Sequence, residues 1–245
     1  MKRLAWSWVG VLVVALAIAS VRPAMAAEVA IESNAQNDNE VFQGTGAAVV
    51  FISDTVGYAF YVEELGTEAN WGTFKYAKTT DGGATWPTEV QINAQTDIMG
   101  FGIWYDRWTP GDTTGTNIYV AFVENGTDRV YFDCIDTGAS DAPCGPVIVA
   151  DLTSFNLNDG TPSITKSTDG DLYIFAALSA VDVWDSIDGG SNWNSTTASF
   201  LPNDDQVKGN LMPLSGGDVL LTTSTLQAPI ASAVFSQEPV ESSPF

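Results

Sequence analysis

Residues 79–86 read Thr-Thr-Asp-Gly-Gly-Ala-Thr-Trp, and a near copy, Ser-Ile-Asp-Gly-Gly-Ser-Asn-Trp, stands at 186–193. A hydroxyl residue, Asp-Gly-Gly and a tryptophan at fixed offsets describe a tight corner. Glycine reaches the positive φ that corners use, and Asp accepts hydrogen bonds from the N–H groups that follow it. Asp81 and Asp188 are 107 positions apart, and "CIDTGAS" (134–140) places Asp136 at 55 residues after the first and 52 before the second. A corner that returns about every 53 residues implies that a whole structural unit returns with it.

The segments between the corners align in that register. "YAFYVE" from Tyr58, "YVAFVE" from Tyr119, "YIFAAL" from Tyr173 and a weaker "VLLTTS" from Val219 are β-branched and aromatic runs, as expected of strands buried on both faces. "TFKYAKT", "RVYFDCI", "VDVWDSI" and "ASAVFSQ" follow them, and "AAVVFIS", "GFGIWYD", "PSITKST" and "NLMPLSG" precede them, with turn signals at each junction. Four strands per period of this length predict an all-β chain of four-stranded antiparallel blades, a β-propeller with about four blades present. "EVAIESNAQND" (28–38) resembles "EVQINAQTD" (89–97), so the exported chain is expected to begin on an outer strand, which can close a ring by pairing with the last three strands. Four units can close as a small ring or form the first part of a six- or seven-bladed one. The longer ring is preferred, because the last unit is degenerate and "SQEPVESSPF" carries no closing pattern.

Lys2 and Arg3 precede an apolar run from Leu4 to Ala19, and Ala24-Met25-Ala26 offers a small-x-small cleavage site. This pattern predicts a signal peptide over residues 1–26 and one exported domain over 27–245, secreted or periplasmic; the alternative is an uncleaved anchor. Without the leader six cations face 30 acids, a charge of −24 with no histidine. Nucleic acid and anionic membranes are therefore poor partners, and neither nucleic-acid binding nor membrane association after cleavage is expected. Cys134 and Cys144, with nine residues between them, read as a local disulfide that stabilises one loop by about 2–3 kcal/mol. A thiolate metal site is disfavoured, because such sites draw on four Cys or His ligands.

Thr79, Asp81, Gly82, Gly83 and Trp86, with Ser186, Asp188, Gly189, Gly190 and Trp193, resemble Asp boxes, the bacterial neuraminidase repeats of the sialidase-like superfamily; Asp136 marks a degenerate third copy. The resemblance covers about residues 40 to 235. It implies that the boxes are structural clamps between third and fourth strands, on the face opposite an active site, with each tryptophan packed beneath its turn. It also implies a test for sialidase chemistry: three arginines, a Tyr/Glu nucleophile pair and an acid/base Asp. Beyond the leader the chain holds only Arg107 and Arg129 and lacks an Arg-Ile-Pro motif. The resemblance therefore disfavours sialidase activity in this chain alone and implies a glycan- or protein-binding member of the superfamily, or a glycoside hydrolase, exo-sialidase-like or other.

The strand order gathers two loop sets on the opposite face. One set carries Asp97, Asp159, Asp204 and Asp205, the other Glu63, Glu64, Glu124 and Asp182. Glu63 and Glu124 end equivalent strands of adjacent units, so they are the candidate acid and nucleophile or base for sugar hydrolysis at a spacing of about 5–10 Å, with Asp97 or Asp159 joining them. The competing reading is that these are solvated loop acids. Clustered carboxylates also suit Ca²⁺, although no spacing matches a standard calcium loop; no other cofactor is expected. In "WYDRWTP" (104–110), Asp106 and Arg107 read as a local ion pair with Trp104 in the core. The sequons Asn125-Gly126-Thr127 and Asn194-Ser195-Thr196 matter only in a host that glycosylates exported proteins. The function expected is recognition of an extracellular glycan or surface polymer. The alternatives are a glycoside hydrolase working through these carboxylates, and a scaffold for protein partners.

Overall fold

The computed structural model describes residues 31, 49–64, 72–124, 126–127, 129–151, 162–177, 181–197, 208–224 and 231–235. The expected signal peptide, the expected outer strand at 28–38 other than Ile31, and Asp159, Asp204 and Asp205 lie outside these residues. The described chain is all-β, with single 3₁₀ turns at Asp106–Trp108 and Thr137–Ala139. Its described strands form antiparallel sheets of nine, four and three strands, and the sequence repeat divides the nine-stranded sheet into two consecutive units. Unit one holds β1 (Val49–Phe51), β2 (Gly57–Glu64), β3 (Gly72–Thr79) and β4 (Thr88–Gln91). Unit two holds β5 (Ile98–Tyr105), β6 (Asn117–Glu124), β7 (Arg129–Asp136), the short β8 (Ala142–Pro143) and β9 (Val147–Asp151). Unit three runs β10 (Ser163–Lys166), β11 (Leu172–Ala177), β12 (Val181–Ser186) and β13 (Asn194–Thr197). In unit four β14 (Lys208–Pro213), β15 (Val219–Ser224) and β16 (Ala231–Phe235) make a three-stranded sheet.

Burial follows from the composition of the middle strands. In β6 the six residues Ile118–Val123 are all buried. Ile118, Val120 and Phe122 join the core shared with unit one, while Tyr119, Ala121 and Val123 join the core shared with unit three. A strand sandwiched in this way needs apolar residues at every position rather than at alternate ones. Each large side chain so buried stabilises the fold by about 1.5–3 kcal/mol.

Units two, three and four approach one another through their first strands. Gly102 of β5 comes so close to unit three that a Cβ there would lie 2.4 Å from the Pro162 carbonyl oxygen. On the far side of β10, the Ser163 hydroxyl accepts from the Leu211 N–H at 3.1 Å and donates to Asn210 at 3.2 Å. Units one and two are linked by the pairing of Gly72 with Ile98.

The units share one orientation. The turn end of each carries the close of its third strand: Thr79, Asp136 and Ser186 in units one to three. The opposite rim carries Glu63, Glu64, Glu124, Asp151 and Asp182. Contacts between neighbouring units at the turn end confirm the common sense. Asp141 of unit two meets Lys78 of unit one, Lys166 of unit three meets Asp106 of unit two, and the Gly217 N–H of unit four reaches the Thr168 hydroxyl of unit three at 2.8 Å.

One sequence expectation is corrected here. Asp106 does not pair with Arg107; it is 2% exposed and receives Lys166 Nζ at 2.7 Å, while its other oxygen accepts from the Asn117 N–H. Arg107 donates instead to the Gly115 carbonyl at 3.1 Å. Neighbours in a 3₁₀ turn point in different directions, so sequence adjacency does not bring their charges together. Trp104 is partly buried against the core and donates to the Thr109 hydroxyl at 3.0 Å.

Candidate functional site

At the turn end, the two Asp-Gly-Gly corners share one hydrogen-bond pattern. The Thr79 hydroxyl donates to Asp81 at 2.7 Å and accepts from the Gly83 N–H at 2.9 Å; Ser186 does the same for Asp188 and the Gly190 N–H, both at 2.9 Å. Asp81 accepts from the N–H and the hydroxyl of Thr85, and Asp188 from the N–H and the amide of Asn192. Gly82, Gly83, Gly189 and Gly190 have φ of 74°, 90°, 73° and 94°. Side-chain donation from Thr85, then its N–H and Thr79, holds the Asp81 carboxyl down to about 2; Asn192 and Ser186 do the same for Asp188, also to about 2. The carboxylates' partners are all within their own corners, which is the setting of a clamp rather than of a reacting group. Because the folded pKa values are depressed, their contribution to stability is present above the ordinary value of 3.8 and is lost as pH falls through about 2. Carboxyl ¹³C titration is expected to place both midpoints near 2; midpoints near the ordinary value would show that the corners are open in solution.

The tryptophans differ in what they cover. Trp86 meets Phe51 of its own unit edge-on at 6.2 Å, whereas Trp193 packs on Phe132 of the preceding unit at 5.2 Å and donates to the Gly190 carbonyl. The middle corner differs more. Cys134 occupies the place of Thr79 and Ser186, and with no hydroxyl there the Asp136 carboxylate itself accepts from the Gly138 N–H at 2.9 Å and from the Thr116 hydroxyl at 3.0 Å. Cys134 is bonded to Cys144, with the Cα atoms 5.1 Å apart.

At the rim, the candidate carboxylates separate. Glu63 forms an ion pair with Lys75 and accepts from the Thr73 hydroxyl at 3.4 Å. Its neighbour Glu64 pairs with Gly72, Gly72 with Ile98, and Ile98 with Glu124. Glu63 and Glu124 therefore stand about three interstrand steps apart, on the order of 14 Å of ladder, and each is engaged by its own neighbours. Asp97 is the acid that accompanies Glu124. It precedes Ile98 with φ of 70°, a left-handed conformation uncommon for a side-chain-bearing residue, and its Oδ2 lies 3.1 Å from the point where a Cβ on Gly126 would stand.

Three further residues complete this part of the rim. The Glu124 carboxylate accepts from the Thr127 hydroxyl and, at 3.1 Å, from the Tyr131 phenol. Tyr131 is stacked on Phe122 with ring centroids 5.2 Å apart, which fixes the direction of its hydroxyl. Arg129, the cross-strand partner of Glu124, donates from Nε and Nη2 to Asp151 at 2.9 and 2.7 Å. Its pKa is raised by Asp151 first and by Tyr131 next. The signal for these residues was present: a four-residue loop after Glu124 makes Arg129 its partner, and a period of two sets Tyr131 on the same face. On unit three, burial pushes the Asp182 carboxyl up, the direction required of a group that is to hold a proton near neutrality. Among the described residues no group of three or more acidic or thiol side chains is arranged to hold a metal ion.

The rim of unit two thus presents two hydrogen-bonded groups, Thr127 and Tyr131 on Glu124 and Arg129 on Asp151, with Asp97 beside the strand that pairs with Glu124, an arrangement able to donate to and accept from hydroxyl groups of a bound molecule.

Neither a family model nor a curated protein matches the chain. Among solved structures, a protein of unknown function from Dyadobacter fermentans is 16% identical with a TM-score of 0.49, over 79% of this chain and 60% of its own. A leech intramolecular trans-sialidase, complexed with 2,7-anhydro-Neu5Ac, is 16% identical with a TM-score of 0.44, over 61% of this chain and 23% of its own. An exo-β-1,3-galactanase from Phanerochaete chrysosporium is 11% identical with a TM-score of 0.46, over 79% of this chain and 47% of its own. The chain spans less than two thirds of the length of each of these proteins.

Proposed function

We propose that the four units are blades of a sialidase-like β-propeller, that the Asp-Gly-Gly corners are its Asp boxes, and that the exported chain recognises an extracellular glycan or surface polymer. The observation that carries the recognition reading is a pair of hydrogen-bonded groups at the rim of unit two, Arg129 on Asp151 and Tyr131 with Thr127 on Glu124, brought side by side by the pairing of Arg129 with Glu124. Thr127 and Asp151 are exposed, Glu124 and Arg129 partly so, and Tyr131 is buried at 5% exposure with its phenol turned to Glu124; guanidinium, carboxylate and hydroxyl are groups that bind vicinal hydroxyls with defined geometry. Arg107 lies at the turn end, so Arg129 alone of the two post-leader arginines stands at this rim. An arginine triad is not assembled from this chain.

Loss of a charged hydrogen-bond acceptor weakens binding by about 1.5–3 kcal/mol, roughly 10- to 100-fold. Glu124→Gln is therefore expected to lower affinity on a glycan array by that factor. Arg129→Ala is expected to lower affinity as well, yet to change stability by less than about 1 kcal/mol, because its pair with Asp151 is 34% and 45% exposed. Glycan binding that is indifferent to Glu124→Gln, or no glycan binding at all, would overturn the reading.

A hydrolase reading has one observation in its favour, the phenol of Tyr131 in hydrogen-bond contact with Glu124, which is the geometry of a nucleophile beside its base. Release of product from aryl glycosides, lost in both Glu124→Gln and Tyr131→Phe, would put hydrolysis in place of recognition. Concentration-dependent association without glycan binding would put a protein scaffold there.

A further inference from the structure

The middle corner departs from its two relatives in a way that ties a covalent bond to a contact between units. Cys134, 4% exposed, replaces the corner hydroxyl, and Cys144, its partner, is exposed. Between them Ser140 and Asp141 have φ of 62° and 63°, two successive left-handed residues of which neither is glycine. Such a conformation is unfavourable for residues with a Cβ and persists where the surroundings impose it. Here it carries the Asp141 carboxylate out of unit two and onto unit one. Lys78 Nζ reaches its Oδ2 at 2.6 Å, and the Tyr58 phenol donates to its Oδ1. Burial and then Asp141 push the Tyr58 pKa well above the phenol range, as expected of a hydroxyl held in a closed contact. The loop is fixed from beneath by the buried Asp133, whose Oδ1 accepts from the Cys134 and Gly145 N–H groups at 2.7 and 2.9 Å.

We propose that the Cys134–Cys144 bond is a redox-operated clamp that stands in for the missing corner hydroxyl and, while intact, holds Asp141 on Lys78 and Tyr58 so that unit two grips unit one. A dithiol reductant reaches the exposed Cys144 sulfur first. Its thiolate attacks that sulfur, the S–S bond breaks, and Cys134 leaves as a thiolate that takes up a proton. The reductant's second thiol then displaces Cys144 as a thiol and closes the oxidised, cyclic reductant, so two electrons pass to the cystine. With the bond gone, the 137–143 loop is free to leave the left-handed conformation, and Asp141 leaves Lys78.

The test is the rate at which each lysine of the full chain is acylated, read by peptide mass spectrometry before and after reduction with dithiothreitol. Lys78 is expected to react about tenfold faster after reduction, while Lys166, held by Asp106 and Asp112 at the next interface, is expected to keep its rate. Asp141→Asn should show the fast Lys78 rate in both redox states. Cys134→Ser with Cys144→Ser restores a hydroxyl at the corner; it should ignore the reductant and protect Lys78 better than the corresponding double alanine variant. An unchanged Lys78 rate overturns the clamp, and so does a parallel rise at Lys78 and Lys166, which would mark global loosening. Equal rates in the serine and alanine variants would overturn the equivalence of cystine and hydroxyl.

Discussion

Gly190→Ala is expected to destabilise the chain by about 3–4 kcal/mol, while Gly189→Ala, one residue earlier, should cost only about 1 kcal/mol. Both glycines have positive φ, 94° and 73°, so each alanine meets the backbone penalty of roughly 1–2 kcal/mol for a left-handed L-residue. Their surroundings separate them. A Cβ on Gly189 meets nothing within 4 Å, but one on Gly190 would lie 2.1 Å from a ring carbon of Phe132. Phe132 is 2% exposed, stacked on Tyr119 and packed against Trp193, so the ring has no room to withdraw and overpacking adds about 1–3 kcal/mol. Urea unfolding of the two variants measures the difference directly. Equal losses would mean that Phe132 yields, and that the corner of unit three does not bear on unit two as described.

The contrast between these two glycines shows where sequence reading stops. The repeated Asp-Gly-Gly string identifies a turn needing positive φ at two positions, and the runs from Tyr58, Tyr119, Tyr173 and Val219 identify the sandwiched strands. Both are local properties, written in successive residues, although the run from Val219 departs from the other three: it is buried at alternate positions, with Thr222 exposed, and so is not sandwiched. That Gly190 also lies beneath Phe132 is a property of two units packed face to face, and no spacing expresses it. The same limit divided the rim acids. Equivalence within the repeat suggested that Glu63 and Glu124 stand together, but equivalent positions in neighbouring units are separated by the width of a unit. The contacts that engage Glu124 come instead from its own hairpin, Thr127 and Tyr131, with Asp97 brought alongside by the pairing of Ile98. Asp106 makes the point for charge: its neighbour Arg107 was the visible partner, and its actual one, Lys166, is 60 residues away.

Lys166→Met is expected to be the second severe substitution, at about 3–5 kcal/mol. The ammonium is 18% exposed and sits 2.7 Å from Asp106 and 3.1 Å from Asp112, across the seam between units two and three. Its removal leaves the Asp106 carboxylate, 3% exposed, without a counter-charge, and an uncompensated buried ion is what makes breaking such a pair severe. Adding Asp106→Asn removes that ion while keeping an oxygen for the Asn117 N–H, so the double variant should lose less than the single one, a departure from additivity of about 1–3 kcal/mol. The pH dependence carries its own sign. Burial works against the charge on Lys166, but Asp106, Tyr119 and Asp112 outweigh it and raise its pKa from 10.5 to about 12. A raised folded pKa means that the stabilisation, about 2 kcal/mol for that shift, is fully present below pH 10.5 and is lost as pH rises through about 12. The wild-type chain should show this alkaline loss on top of whatever tyrosine ionisation adds, and Lys166→Met should lack it. If the single and double variants unfold at the same denaturant concentration, the seam is held by its apolar contacts and the buried charge at Asp106 is satisfied without Lys166.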